Sequence, residues 1–159
     1  MTQNESSKET SSDYHTPLSR GERYYFSYGS LVDRDTMASI CPDATAVCRA
    51  RLEGYERKYR DNLTLIEASG NQILGALYRI SADCEATLDR AEGFPGGCRK
   101  AEVAVHTPDG EVVPAFVYLL DDGPSIPPSE EYLQRCLRGA REWGIGENEF
   151  LDPLARDEE

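Results

Sequence analysis

Two short segments, far apart in the chain, carry residue types from which an active site can be built. The first is Tyr24-Tyr25-Phe26-Ser27-Tyr28-Gly29-Ser30-Leu31, which reads as a strand running into a glycine turn. The second is Leu88-Asp89-Arg90-Ala91-Glu92-Gly93-Phe94-Pro95, which sets a lone carboxylate, Glu92, just before another glycine turn. Successive main-chain N–H groups in a turn such as Tyr28-Gly29-Ser30-Leu31 can converge on an anion or a carbonyl oxygen. A helix opening at Asp33 adds the favourable partial charge of its N-terminus, and Ser30 adds a hydroxyl. Glu92 falls near the C-terminus of a predicted helix, where the dipole disfavours a carboxylate, and Ala91, Gly93, Phe94 and Pro95 around it are uncharged. Burial there would raise its pKa toward that of a general base working near neutral pH. Taken singly, each string is a weak signal: Tyr-Gly-Ser also serves as a plain strand-to-helix connection, and the chain has many solvated glutamates. Taken together, they describe a main-chain cradle for an anionic or carbonyl ligand, faced by a base.

Other chemistries find fewer residues. There are two histidines, His15 in a polar leader and His106 at the end of a probable strand. A Ser-His-Asp or Cys-His mechanism would rest on His106 alone, and a solvated strand-end histidine is the simpler reading. The five cysteines, Cys41, Cys48, Cys84, Cys98 and Cys136, are odd in number and form no CxxC pair, which argues against a disulfide framework and against a structural zinc. Cys98 reads as a half-buried structural thiol rather than a redox sensor.

The elements that must position these residues follow from pattern. Residues 1 to about 22 are polar and read as a disordered tail; the fold starts at Arg23 and one domain runs over 23–155, followed by an acidic tail, 156–159. Tyr24 to Tyr28 is a buried strand. Asp33 caps a short helix carrying Met37 and Ile40, which Pro42 stops. Ala46 to Arg60 alternates imperfectly, with Val47, Leu52, Tyr55 and Tyr59 inward. Leu63–Ala68 and Gln72–Ile80 follow as two further strands. Ser81 is the N-cap of a helix over Ala82–Ala91, ended by Gly93 and Pro95. Cys98–His106 and Val112–Leu120 form a hairpin around the turn Pro108-Asp109-Gly110. After the Pro-rich connection Gly123–Pro128, Ser129 caps a helix whose Leu133, Cys136, Leu137 and Ala140 lie on one face and which Gly144 ends. Asn148–Leu154 is a final helical turn. Six or seven strands with no regular βαβ alternation and no GxGxxG predict an α+β fold, a mixed barrel-like sheet with flanking helices, and disfavour a doubly wound nucleotide-binding fold.

Composition narrows the function classes. The 159 residues are 39% hydrophobic, enough for one core, and carry a net charge of -12, which argues against nucleic acid and against anionic membranes as partners. There is no apolar run of the ~20 residues a membrane helix needs, and the N-terminus lacks the apolar region of a secretory signal, so a cytoplasmic location is expected.

Tyr28-Gly29-Ser30-Leu31, then Leu88-Asp89-x-x-Glu92-Gly93, then a strand ending in Phe116-Val117-Tyr118, together resemble the γ-glutamylcyclotransferase superfamily. The stretch Pro128-Ser129-Glu130-Glu131-Tyr132-Leu133, with Gly139-Ala140 and Gly144 after it, resembles the last helix of γ-glutamylcyclotransferase proper. The resemblance spans about Tyr25 to Phe150. It implies a mixed β-barrel with helices outside it and a cofactor-independent intramolecular aminolysis. In that reaction the α-amine of a γ-glutamyl amino acid or γ-glutamyl-amine attacks its own γ-carbonyl, giving 5-oxoproline and a free amine. It also implies Glu92 as the catalytic base, Tyr28, Gly29, Ser30 and Leu31 as the substrate loop, and Tyr118 in the same cavity. A small γ-glutamyl compound would be the partner, no metal would be held, and a homodimer is admitted. Two departures bear on specificity. Many relatives read Tyr-Gly-Ser-Asn-Leu, whereas here Leu31 follows Ser30 directly; and relatives often carry a tyrosine where this chain reads Cys98-Arg99-Lys100. The alternatives are a non-catalytic small-ligand module on the same scaffold, and a cyclotransferase that removes a γ-glutamyl protecting group from a biosynthetic intermediate.

Overall fold

The computed structural model describes residues 17–157. In chain order it contains β1 (Arg23–Ser27), a single 3-10 turn (Ser30–Val32), α1 (Arg34–Ile40), β2 (Thr45–Arg60), β3 (Asn62–Ile80), α2 (Ala82–Glu92), β4 (Cys98–His106), β5 (Val112–Leu120), α3 (Glu130–Trp143) and α4 (Asn148–Asp157). The strands close into a barrel in the order β1-β3-β2-β4-β5. Closure comes from a parallel pairing of β5 with β1, Tyr25 opposite Phe116. Most of the tail expected over residues 1–22 lies outside the described residues, as do His15 and the last two residues of the acidic tail. Residues 17–22 are described, and the Pro17 carbonyl and the Glu22 carboxylate accept hydrogen bonds from Arg79.

The architecture is the expected α+β barrel with helices outside it, but it has five strands rather than six or seven. Leu63–Ala68 and Gln72–Ile80 are one strand, β3. Its pairing with β2 steps from Tyr55↔Glu67 to Glu53↔Gln72, so the chain bulges around Gly70, whose φ is 88°, and then resumes the ladder. β2 is bulged too, between Ala46 and Cys48 and between Glu53 and Tyr55. A bulge inserts a residue and reverses which parity faces inward. Ala50 and Leu52 are buried before the second bulge, Arg57 and Tyr59 after it. That parity change explains the imperfect alternation and brings a charged residue, Arg57, inside.

Local signals set the helix ends. The side chains of Asp33, Ser81 and Ser129 accept from the amides of Thr36, Cys84 and Tyr132 at the starts of α1, α2 and α3. Gly93 and Gly144 close α2 and α3 in the left-handed conformation. The final helical turn is longer than expected, running to Asp157 with Pro153 inside it. The core lies on both faces of the sheet, with Phe26 and Leu77 on one and Ile80 and Phe116 on the other, and it takes in Leu88 of α2 and Cys136 and Ala140 of α3.

The cysteines require a correction. Cys41 at the end of α1 and Cys84 in the first turn of α2 form a disulfide, with Cα atoms 5.3 Å apart and a sequence separation of 43. Count and spacing could not reveal it, because the two residues meet only when α1 and α2 pack side by side. Among the described residues there is no second disulfide: Cys48, Cys98 and Cys136 are buried thiols. Among the described residues no group of His, Cys, Asp and Glu could hold a metal ion, and no helix is long and apolar enough to cross a membrane.

Candidate active site

The parallel seam brings the C-terminal ends of β1 and β5 to the same end of the barrel, where the Tyr28 hydroxyl donates to the Tyr118 carbonyl. Beyond β1 the chain turns at Gly29 into the 3-10 turn. Its carbonyls are gripped by side chains: Arg57 Nε donates to Tyr28 O at 2.9 Å, the Tyr78 hydroxyl to Leu31 O at 2.9 Å, and the Trp143 indole to Val32 O at 2.8 Å. The amides of Gly29, Ser30 and Leu31 make no main-chain hydrogen bond among the described residues. The main chain at Ser30 interacts with the Tyr132 hydroxyl, which itself accepts from the Leu63 amide at 3.0 Å. The amides of Gly29 and Leu31 have no hydrogen-bond partner among the described residues.

Two glycines let the walls of this site close up. A Cβ on Gly29 would lie 2.6 Å from the Tyr132 hydroxyl. A Cβ on Gly139 would lie 2.5 Å from the main chain at Val32 and Asp33, so α3 crosses directly over the end of the loop. Arg138 on α3 adds a two-pronged bond to the buried Asp33 carboxylate, Nε to Oδ1 at 2.9 Å and Nη2 to Oδ2 at 2.7 Å. Those bonds hold the Asp33 carboxyl below the usual range.

Glu92 closes the opposite side. It is the last residue of α2 and partly buried. Burial alone pushes its carboxyl above the usual glutamate range; no hydrogen bond or cation offsets that push. Burial first, and then the nearby Glu92 charge, push the Tyr28 phenol up as well. Tyr118 stands on β5 with its hydroxyl donating to Asp89 Oδ1 at 2.6 Å, its ring edge-on to Tyr25 at 5.8 Å and to Phe94 at 6.4 Å.

All six residues singled out from the sequence, Tyr28, Gly29, Ser30, Leu31, Glu92 and Tyr118, line one cavity. The same cavity takes in Tyr25, Ser27, Asn62, Leu63, Leu120 and Tyr132, which the sequence did not single out. Strand alternation could have found Tyr25 and Ser27, since they share a face of β1. Ser27 Oγ is buried with no hydrogen-bond partner among the described residues, an unanswered polar group on the cavity wall. Asn62, Leu63 and Tyr132 arrive from the tip of the β2–β3 hairpin and from α3 and carry no local signal. His106 is at the other end of β4 from Cys98, with its Nε2 3.9 Å from Glu53 Oε1, and does not border this cavity. Burial, and then the Glu92 charge, push the Cys98 thiol up, which suits an inert thiol rather than a nucleophile.

A family model described as the AIG2-like family matches residues 72–152. The γ-glutamylcyclotransferase of Mus musculus is 28% identical over 139 residues, spanning 79% of this chain and 74% of that protein. The Homo sapiens γ-glutamylcyclotransferase is 26% identical over 134 residues, spanning 76% of this chain and 71% of that protein. A solved γ-glutamyl cyclotransferase structure superposes with a TM-score of 0.74 at 25% identity, covering 86% of this chain and 85% of that one.

Proposed function

We propose that this chain, which belongs to the AIG2-like family within the γ-glutamylcyclotransferase-like superfamily, is itself a γ-glutamyl cyclotransferase. Its substrate is a γ-glutamyl amino acid or a γ-glutamyl-amine, a γ-glutamyl-protected biosynthetic intermediate included, and its products are 5-oxoproline and the released amine. The observation that carries this reading is the unpartnered Glu92 carboxylate across one cavity from the free amides of Gly29 and Leu31.

The reaction follows from those groups. The cavity holds the substrate folded, with its α-nitrogen against its own γ-carbonyl carbon; orientation of this kind supplies much of the rate of a ring closure. Glu92 takes a proton from the α-ammonium, and the freed amine attacks the γ-carbonyl, forming the ring C–N bond. The carbonyl oxygen becomes an oxyanion, which the Gly29 and Leu31 amides stabilise. The scissile C–N bond then breaks and the carbonyl re-forms as the proton held on Glu92 passes to the leaving nitrogen; the second proton that the ring nitrogen must lose follows through Glu92 to the same nitrogen, so the lactam N–H is neutral and the amine departs as an ammonium. The scheme needs no cofactor and no protein nucleophile, because the attacking group is on the substrate.

The test is incubation with a panel of γ-glutamyl dipeptides and γ-glutamyl-amines, with 5-oxoproline as the readout. Wild type forms it, and Cys98→Ala keeps that activity whereas Glu92→Gln does not. No 5-oxoproline from any member, in wild type and Glu92→Gln alike, would leave the cavity as a ligand-binding module.

A further inference from the structure

Behind Tyr118 stands a charge cluster that the scheme above does not use. Lys100 Nζ is 2.6 Å from Glu85 Oε2 and 2.9 Å from Asp89 Oδ1. The same Asp89 oxygen accepts the Tyr118 hydroxyl at 2.6 Å. Lys100 also lies over the rings of Phe94 and Tyr118, 4.6 and 5.7 Å from their centroids, and is only 18% exposed. Arg23 Nη1 supplies a second cation to Glu85 at 2.8 Å. Burial pulls the Lys100 ammonium down, but its bonds to Glu85 and Asp89 outweigh that and hold it charged. Burial, and then the bond to Asp89, push the Tyr118 phenol up, so it keeps its proton.

A phenol has one proton to donate and lone pairs to accept with. With its proton on Asp89, Tyr118 can offer the cavity only an acceptor. Tyr28 offers the cavity neither, because its hydroxyl donates to the Tyr118 carbonyl and its oxygen meets the Thr64 hydroxyl. One side of the cavity therefore presents acceptors, the Tyr118 oxygen and the Glu92 carboxylate, while the loop presents amide donors. A ligand matched to this polarity carries a cation at one end and a carbonyl oxygen at the other.

We infer that Asp89 and Lys100 are positioning residues that fix Tyr118 as an acceptor and so build a subsite for the substrate's α-ammonium group. The inference rests on the cyclotransferase reading and adds to it a determinant of substrate choice outside the cavity. Lys100 belongs to the string Cys98-Arg99-Lys100, in which this chain departs from many relatives.

The test compares γ-glutamyl-L-alanine with glutaryl-L-alanine, which lacks the α-ammonium and cannot cyclise. In wild type the first is followed as a substrate and the second as a competitive inhibitor. Asp89→Asn places an amide beside Tyr118 that can donate to the phenol oxygen and so occupy its acceptor face. The KM for γ-glutamyl-L-alanine is then expected to rise roughly tenfold, the scale of one hydrogen bond to a charged group, while the Ki of glutaryl-L-alanine stays within about twofold. Asp89→Glu restores part of the KM. A merely structural role would move KM and Ki together, and that result, or no change in either, overturns the inference while leaving the cyclotransferase reading intact. Absence of turnover in wild type removes the reading and the inference with it. If Asp89→Asn does not fold, Lys100→Gln carries the test: a raised KM at constant Ki supports the inference, and an unchanged ratio overturns it.

Discussion

The last two turns of α2 hold two carboxylates, Asp89 and Glu92, in opposite surroundings. Spaced three residues apart, they lie on one stripe of the helix. Asp89 meets the Tyr118 hydroxyl and the Lys100 ammonium. Glu92 meets neither a donor nor a cation, and burial drives its carboxyl up. Two acids of nearly the same chemistry are thus separated into a fixed acceptor and a group free to move a proton. What separates them is the surroundings of each: β4 brings Lys100 to Asp89, while Glu92 faces the cavity between β5 and the loop after β1.

The strongest way to break this contrast is to remove the free acid. Glu92→Gln keeps the shape of the side chain and is expected to lower kcat by ~10²–10⁴-fold, the usual contribution of a positioned acid–base group. The same change should raise stability. Because folding raises the Glu92 pKa, the folded protein holds a proton that the unfolded chain has lost, so wild type loses stability as pH rises from the unfolded pKa through the folded one. Thermal melts should show Glu92→Gln above wild type near neutral pH, and the gap should close in acid, where both states carry the neutral carboxyl. A smaller effect is expected on the donor side. Gly29→Ala drives a methyl against the Tyr132 hydroxyl and displaces the loop amides. A loss of ~10²-fold in kcat/KM is expected, as for a misplacement on the order of 1 Å, with partial recovery when Tyr132→Phe removes the clashing oxygen.

Much of this arrangement was legible in the residues themselves. Asp33, Ser81 and Ser129 mark helix starts because a short oxygen-bearing side chain can bond only the amides just ahead of it. The alternation of Ala101, Val103 and Val105 marks β4. The pairing of Glu92 with the Tyr28–Leu31 loop came from resemblance in order and spacing, since neither string compels it alone. Other features depend on contacts between distant residues. Glu67 to Asn71 has no apolar pattern because it is a bulge, so β3 reads as two strands. Arg57 reads as a surface residue, yet a bulge turns it inward to hold the Tyr28 carbonyl. Tyr132 becomes a cavity residue only when α3 packs on the loop.

The Cys41–Cys84 disulfide allows the mildest perturbation of the contrast, because it ties α1, which follows the loop, to the start of α2 far from Glu92. Replacing both residues by alanine should cost ~4 kcal/mol of stability, as for a loop of this length, read as a lower Tm. Turnover by the folded protein should change little, since neither cysteine borders the cavity.

The most direct measurement is the titration of Glu92 itself, followed by carboxyl ¹³C NMR, beside the pH dependence of kcat/KM for a γ-glutamyl substrate. A base must be ionised to act, so activity should fall as pH falls through the Glu92 pKa. Glu92 titrating above the usual glutamate range, with the acid limb of kcat/KM at the same pH, is the predicted result. A Glu92 that titrates in or below the usual range, or turnover that survives in Glu92→Gln, would contradict the account.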